Sequence, residues 1–560
     1  MTVVPLPRRR ASAAALLAAV SLLLPSPAAA QRVLGGGSDG VTLPRGGFRV
    51  SLSAESNVQR DRWNDGRLEG LGGAMTGPVF GPDQLSLLVP IEQTLAQLGV
   101  QDFSASLGAP RLDARQRVFV TPLAVEYGLF DWLTLGARAS VVRTKAEAQF
   151  RIRTDSGRAT LGMNPYFAGS GVPAANATIV AAYQTATAAL NARLIACQGN
   201  PVAVPECGTS LAEAANVTQL ANRSAYYGTA LGSLYGAGVA AGVRWVPMAG
   251  SAADSVLRSR ADSIATAFRR YGVTAALGIP TGAGVGIGAE ELARIITDST
   301  YGYGAKRLND GGLTQVSDVT VSALVRVHDS FLSAGTSRLT ATSRGWRQAV
   351  LIEGRIGTGT PPRPDRFLDQ GTGTGASAIT LRSITDLVLD RRFWATVAVG
   401  YTQAFAHERA MRVPSSSGSA FLEWSRLDTV RITPGGQLDL EVAPRWQLND
   451  YVSLGAQWRW RHRTADRHDV PSTRIISILP IDPRQFPDAS VLDRASAQDE
   501  QRIGVTASYS TMAARARGLP GMPFELLYQH QQSVASGGGI VPKQWEDRLT
   551  VRYYTRFFTR

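Results

Sequence analysis

Beyond its first thirty residues the sequence has no apolar run long enough to cross a membrane as a helix, which excludes a helical membrane domain. Cysteine is confined to Cys197 and Cys207, and histidine to His328, His407, His462, His468 and His530. Two lone thiols do not make a zinc set, and His462 and His468 stand too far apart on one extended strand to share a metal. There is no G-x-S-x-G elbow, and the glycine runs at 35–37, 371–375 and 537–539 do not lie between a strand and a helix. The sequence therefore offers no catalytic residue, no metal site and no cofactor cradle, and it reads as a non-enzyme. Lysine is nearly missing as well. Lys145, Lys306 and Lys543 are the only three, so arginine carries the net charge of +14. No basic helix with interleaved aromatics occurs, which argues against a nucleic-acid partner.

What is present begins with residues 1–30. Arg8, Arg9 and Arg10 precede an apolar stretch at 13–24, Pro25-Ser26-Pro27 breaks it, and Ala28-Ala29-Ala30 precede Gln31. This predicts an export signal cut before Gln31, with a retained anchor as the alternative. Without the three leader arginines the net charge is +11. In an exported chain, Cys197 and Cys207 read as a disulfide clasping a short loop.

The dominant pattern is alternation. In 379–405, Ile379, Leu381, Leu387 and Leu389 share one parity, Asp390-Arg391-Arg392 make a turn, and Phe393, Ala395, Val397, Val399 and Tyr401 resume it. A period of two on both sides of a tight turn is a hairpin. The same unit recurs as YGLFDWLTLGARA and WQLNDYVSLGAQW, each with Asp in the turn and an aromatic opening the next strand. Aromatics at every turn suit a membrane-interface girdle. Further alternating stretches start at Gly47, Asp318, Ala349, Arg502, Phe524 and Asp547. Short turns alternate with long loops, and both ends fall on the short-turn side.

The fold class is therefore all-β: a transmembrane antiparallel β-barrel of about 12 strands. The number rises to fourteen if 238–246 and 273–280 pair as well. Residues 1–30 are the leader, 31–46 an N-terminal periplasmic segment, 47–154 strands one to three and 314–560 strands four to twelve. Between them, 155–313 is a mainly helical insertion in one extracellular loop, a cap or a plug. Its signals are a stripe at Ile179, Tyr183, Ala186, Leu190 and Leu194, a capping box from Ser210 to Glu213, and a second helix start at Ser251 and Asp254. The latter carries Leu257, Ala261, Ile264, Phe268 and Tyr271 to a stop at Gly272, and 85–98 and 290–297 read as further short helices.

The polar faces are rich in charge. Arginine at mid-membrane facing lipid costs roughly 2–4 kcal/mol, so the lumen is the expected place for these side chains. The lumen-lining candidates are Arg326, Glu353, Arg355, Arg382, Asp386, Asp439, Glu441, Arg445, Arg459, Arg461, Arg463 and Arg552. They read either as a stiffening arginine–carboxylate network or as a mildly anion-favouring path constricted at Arg459, Arg461 and Arg463.

Three stretches, SDVTVSALVRV, LIEGRIGTGTPPRPDRFLDQGTGTGASAITL and VAVGYTQ, together with PLAVEYGLFDWLTLGARASVV, carry a resemblance. They resemble the outer-membrane family named for the meta-pathway of phenol degradation, and more loosely the fatty-acid and hydrocarbon transport barrels. The resemblance implies a bacterial outer-membrane location, membrane lipid and the barrel assembly machinery as partners, and small aromatic or apolar solutes. The expected function is a passive channel gated by the helical insertion. The alternative is a closed barrel that acts as a structural or surface-interaction platform.

Overall fold

A computed structural model describes residues 39–154, 158–169, 171–202, 207–238, 241–300, 302–306, 312–330, 344–366, 369–390, 392–414, 427–470, 488–494, 496–512, 514 and 520–555. The leader at 1–30, Arg391 of the central turn and the final Phe557 and Phe558 lie outside them. The chain forms two compact units, one of Met1–Met75, Leu112–Gln149 and Ile296–Arg560, the other of Thr76–Arg111 and Phe150–Ile295.

The first unit is a closed barrel. Its strands are β1 (Phe48–Asn64), β2 (Ala109–Phe130), β3 (Leu133–Arg153), β4 (Val319–Asp329), β5 (Gly345–Ile356) and β6 (Ala378–Val388). The ring continues through β7 (Phe393–Ala404), β8 (Gln437–Gln447), β9 (Val452–Arg463), β10 (Gln498–Ser510), β11 (Phe524–Gly537) and β12 (Ile540–Thr555). Each strand pairs with its neighbour in chain order, and β12 returns to β1 from Phe48 opposite Thr555 to Asn64 opposite Ile540. The short strands Arg67–Gly70 and Leu313–Val316 add to β1 and β3 without entering the ring. Twelve strands is thus the barrel number. The segment 238–246 contributes only part of the strand Trp245–Pro247, which pairs with Leu161–Met163, and 273–280 has no strand, so the fourteen-strand option falls away.

Alternation sorts the side chains. Leu52, Leu123, Leu135, Val321, Ile352, Leu381, Val399, Leu454, Val505 and Val551 are exposed on the outside. This surface suits lipid and not water, and it makes the barrel a membrane-spanning one. At the short-turn end Phe130 stacks on Trp132 (5.4 Å between ring centres), Phe48 meets Tyr127 (4.7 Å) and Tyr451 stacks on Tyr509 (5.8 Å). Phe393 and Trp446 are paired neighbours there.

The described part of 31–46, residues 39–46, lies against the inner wall of the barrel. Asp39, Val41, Thr42 and Leu43 are buried. The Gly40 N–H donates to Asp386 Oδ2 (3.0 Å), the Leu43 N–H to Thr134 Oγ1 (2.7 Å), and Thr42 Oγ1 to the Asp131 carbonyl (2.7 Å). Leu43 packs with Met512 and Tyr554. The segment fills the short-turn end of the lumen.

The second unit is mainly helical. Its helices are α1 (Val89–Gln97), α2 (Val172–Gly199), α3 (Cys207–Ala212), α4 (Ala214–Tyr235) and α5 (Ala252–Arg270), with α6 (Ala289–Thr297) ending across the unit boundary. Ser251 caps α5 through a bond from the Asp254 N–H (3.2 Å), and Leu257, Ala261, Ile264, Phe268 and Tyr271 are buried as the stripe predicts. The expected capping box at Ser210 does not form. Ser210 lies inside α3, and Glu213, between α3 and α4, instead accepts from Tyr271 Oη (2.7 Å) and pairs with Arg270. Cys197 and Cys207 form a disulfide joining α2 to α3.

On β2 the inward Gly128 lies beneath this N-terminal segment. A Cβ there would overlap the Pro44 and Leu43 carbonyl oxygens. Gly128→Val should therefore expel residues 39–45. Maleimide labelling of a Val41→Cys reporter should speed up by about tenfold or more in that background; an unchanged rate would mean that the segment does not depend on this contact.

Candidate functional site

The inner wall has two characters. On the loop side of β2 and β3 it is largely apolar, with Val118, Val120 and Val142 facing inward beside Arg138; on β8, β9, β10 and β12 it is charged. A strand with period two can present arginine at every inward position only if carboxylates on neighbouring strands answer it, because a buried unpaired charge is costly. They do so in a continuous belt. Asp439 accepts from Arg459 (2.6 Å) and Arg461 (3.2 Å), and Arg461 reaches Glu500 (3.7 Å). Glu500 holds Arg502 (2.7 Å), which reaches Glu546 (3.8 Å). Glu546 holds Arg548 (2.8 Å), and Arg548 ends the belt on Glu55 of β1 (2.9 Å).

Two cavities lie inside the barrel. The loop-side chamber has a volume of about 200 Å³, the turn-side one about 70 Å³. Glu55, Arg138, Thr320, Glu353 and Arg548 line both, so these five residues form the boundary, or neck, between them. The turn-side cavity ends among Arg49–Glu126 and Arg552–Glu525 pairs, near the N-terminal segment.

The loop between β5 and β6 folds inward over the chamber. Asp318 anchors it, accepting from the Gly359 N–H (2.8 Å) and the Thr374 N–H (3.1 Å). Its tip, Gln370, donates to Gln59 of β1 (2.8 Å) and to Gln116 of β2, about a third of the way round the ring. Gly373 fits because a Cβ there would overlap the Asp318 carboxylate. A small sheet of His407–Arg412, Leu427–Thr433 and Arg467–Asp469 roofs the chamber, packing Met411, Val430 and Ile432 with Leu71, Val491, Leu492 and Ile540. His407 and His468 line the chamber from this roof, and burial is the main cause that holds both rings below the usual histidine pKa.

The predicted lumen residues divide among these features. Arg355, Arg459, Arg461 and Arg463 line the chamber, Glu353 the neck and Arg552 the turn-side cavity. Asp439 is the belt's shared acid. Arg382 pairs with Glu441 (2.5 Å) and Asp386 with Arg347 (2.6 Å), while Arg445 lies over Trp394 (5.2 Å). Arg326 is half-buried on β4. None of Arg459, Arg461 and Arg463 lines the turn-side cavity. Glu500 and Glu546, absent from the candidates, share the inward parity of Arg502 and Arg548, so the same period would have found them. Asp318 and Gln370 sit at a strand edge and in a loop, where periodicity carries no signal. No group of three or more metal-ligating side chains occurs among the described residues.

No protein-family model matches the chain, and no curated protein matches it. Solved structures with a similar course include an outer membrane channel from Pseudomonas putida F1, at 9% identity over 92% of this chain and 98% of that one, TM-score 0.39. The Pseudomonas putida toluene transporter TodX matches at 8% identity over 94% and 96%, TM-score 0.28. The transport unit of the autotransporter AIDA-I from Escherichia coli matches at 6% over 96% and 94%, TM-score 0.31. With every TM-score below 0.5, these likenesses decide nothing about function.

Removing the shared acid of the belt tests its energetics. Asp439→Ala leaves Arg459 and Arg461 buried without their carboxylate and should cost about 3–5 kcal/mol. The cost should appear as a lower urea midpoint for the lipid-embedded barrel. Asp439→Glu should recover most of it, and an unchanged midpoint for Asp439→Ala would show that water, not Asp439, neutralises the two arginines.

Proposed function

We propose that the protein is a passive channel of a bacterial outer membrane for small solutes with an apolar or aromatic body. The observation that carries this reading is a pair of lumenal cavities that share Glu55, Arg138, Thr320, Glu353 and Arg548 as lining. A valine wall and a neutralised charge belt give one surface for an apolar body and another for a polar group. The lipid of that membrane would contact the apolar outer wall, and the barrel assembly machinery would insert it. The helical unit, which belongs to the β1–β2 and β3–β4 connections, is the proposed gate.

The rival reading is a closed barrel that serves as a platform. The N-terminal segment and the inward β5–β6 loop favour it, because both occupy lumen that a solute would need.

Proteoliposome flux separates the two. The intact protein, Gly128→Val and a form lacking 171–284 should each be compared with small ions, a sugar and phenol. None of the barrel strands lies within 171–284, so the shortened form keeps its ring, and heat-shifted gel mobility checks folding. The channel reading expects phenol flux that rises in both altered forms, and it expects Arg138→Glu to alter ion preference at the neck. Folded proteins that pass nothing in any form would leave the platform.

A further inference from the structure

Just beyond the apolar belt, the outer wall carries a charged patch that the lumen does not use. On β2 the outward parity runs through Phe119, Leu123 and Val125, and Arg117 and Arg115 continue it toward the loops. On β3 the outward Leu135 and Val141 are followed by Arg143 and Lys145. On β1 the face of Val50 and Leu52 reaches Arg60. Val58 stands opposite Arg117 and Gln59 opposite Gln116, so the next outward pair brings Arg60 beside Arg115. Lys145 Nζ donates to Glu147 (2.8 Å), and with Arg117 and Arg115 it holds that carboxyl below the usual range, which joins β3 to the patch. Five cations on these outward faces are thus set against two acids, Glu147 and Asp113. Arg60, Arg117 and Arg143 are exposed, with no salt-bridge partner among the described residues. Desolvation first, and then the charges of Arg117 and Arg60, lower the Arg115 pKa. Like charges side by side on neighbouring strands destabilise the pairing unless an anion answers them.

What lies beneath the patch defines that anion. Phe119, Val141 and Val316, each about half exposed, hold the outward positions next to Arg117 and Arg143 on the membrane side. Val141 and Val316 are direct cross-strand partners, and Arg143 stands opposite Thr314 in the following outward row. Two residues along a strand are about 7 Å, so charge succeeds hydrocarbon contact within a single step. A lipid reproduces that order, with acyl chains against the three apolar side chains and an anionic headgroup directly above them. A soluble acidic partner would use the charge but leave the apolar row idle. Guanidinium groups bind phosphate oxygens through paired N–H donors, and several of them at one place match a headgroup with more than one negative charge.

We propose that Arg60, Arg115, Arg117, Arg143 and Lys145 form a binding site on the outer wall for the phosphorylated headgroup of a glycolipid in the loop-side leaflet. The site rests on the channel reading only for the membrane and for the outward direction of its loops. Lipid binding does not need conduction, so a failure of flux and a failure of this site are separate results.

The test is native mass spectrometry of the full-length protein released from a non-ionic detergent, titrated at constant ionic strength. Diphosphoryl lipid A is the probe, with the same lipid stripped of both phosphates as comparator and inorganic phosphate as competitor. The wild type should bind the phosphorylated lipid about tenfold or more tightly than the stripped one. Arg117→Gln with Arg143→Gln should remove most of that margin, with folding checked by heat-shifted gel mobility. Arg223→Gln with Arg269→Gln removes the same charge from exposed positions on α4 and α5 and should leave the margin intact. Inorganic phosphate should displace the lipid only at about a hundredfold excess or more. Four results would each overturn the proposal. Equal binding of the two lipids would mean that acyl chains alone are held. An undiminished margin without Arg117 and Arg143 would place the site elsewhere, and an equal loss in the α4–α5 pair would reduce it to net charge. Displacement by equimolar phosphate would make it a site for free anions and not for lipid.

Discussion

A strand that crosses lipid must find a partner for every backbone N–H and C=O, and the pairing of β12 with β1 supplies the last of them. The rest of the structure follows from that closure. Once the ring is shut, each strand has one face in lipid and one in the lumen, and period-two alternation assigns every side chain to one or the other. Leu549, Val551 and Tyr553 go out; Arg548, Thr550 and Arg552 go in. A slip of one residue at this seam would put three buried charges or polar groups into hydrocarbon, so the register is specified by chemistry along its whole length.

Closure with twelve strands also makes a narrow tube, in which side chains and short segments can occupy much of the space. The charged interior therefore cannot rely on water alone. From Asp439 through Glu500 and Glu546 to Glu55, the carboxylates stand between the arginines and share them. That arrangement changes what the arginine content means. Counted along the sequence, the lumen is strongly positive; counted as pairs, the belt is close to neutral and acts first as a brace between strands. In the proposed channel, selectivity would then come from the groups the belt does not absorb and from the shape of the two cavities.

The barrel was legible because its signal is local. Alternation, Asp-bearing turns and the aromatic after each turn located the strands of the ring, and the helical stripe at Leu257, Ala261, Ile264 and Phe268 located α5 with its Ser251 cap. The misses have physical reasons. Ser210 and Glu213 have the spacing of a capping box, yet the disulfide at Cys207 sits where a helix has already begun, and Tyr271 and Arg270 claim Glu213. The segment at 39–45 has no periodicity at all. Its place depends on a hydrogen bond from Gly40 to Asp386, 346 positions away, and on the absence of a side chain at Gly128. Such contacts join residues that no window of sequence brings together. The roof sheet was missed for a similar reason: its strands are short, the first two are separated by residues 413–426, and the hairpin β8–β9 intervenes before the third.

The two ends of the lumen differ in how they are closed, and the difference bears on how a solute could move. At the turn end the N-terminal segment is held by four hydrogen bonds, from Gly40, Thr42, Leu43 and Arg45, and by Leu43 against Met512 and Tyr554, a contact small enough to open without unfolding the ring. At the loop end the β5–β6 loop is fixed through Asp318, which is itself buried and bonded at both oxygens, and the roof has its own apolar core. Breaking that end means exposing a carboxylate's partners and a packed cluster together. Of the barrel's own two closures, the turn end is therefore the one that can yield at lower cost, while the loop side gives the chamber a fixed shape. A fixed chamber above a yielding floor is a geometry that can select before it releases, and selection would then be made by the valine wall, the neck and the roof.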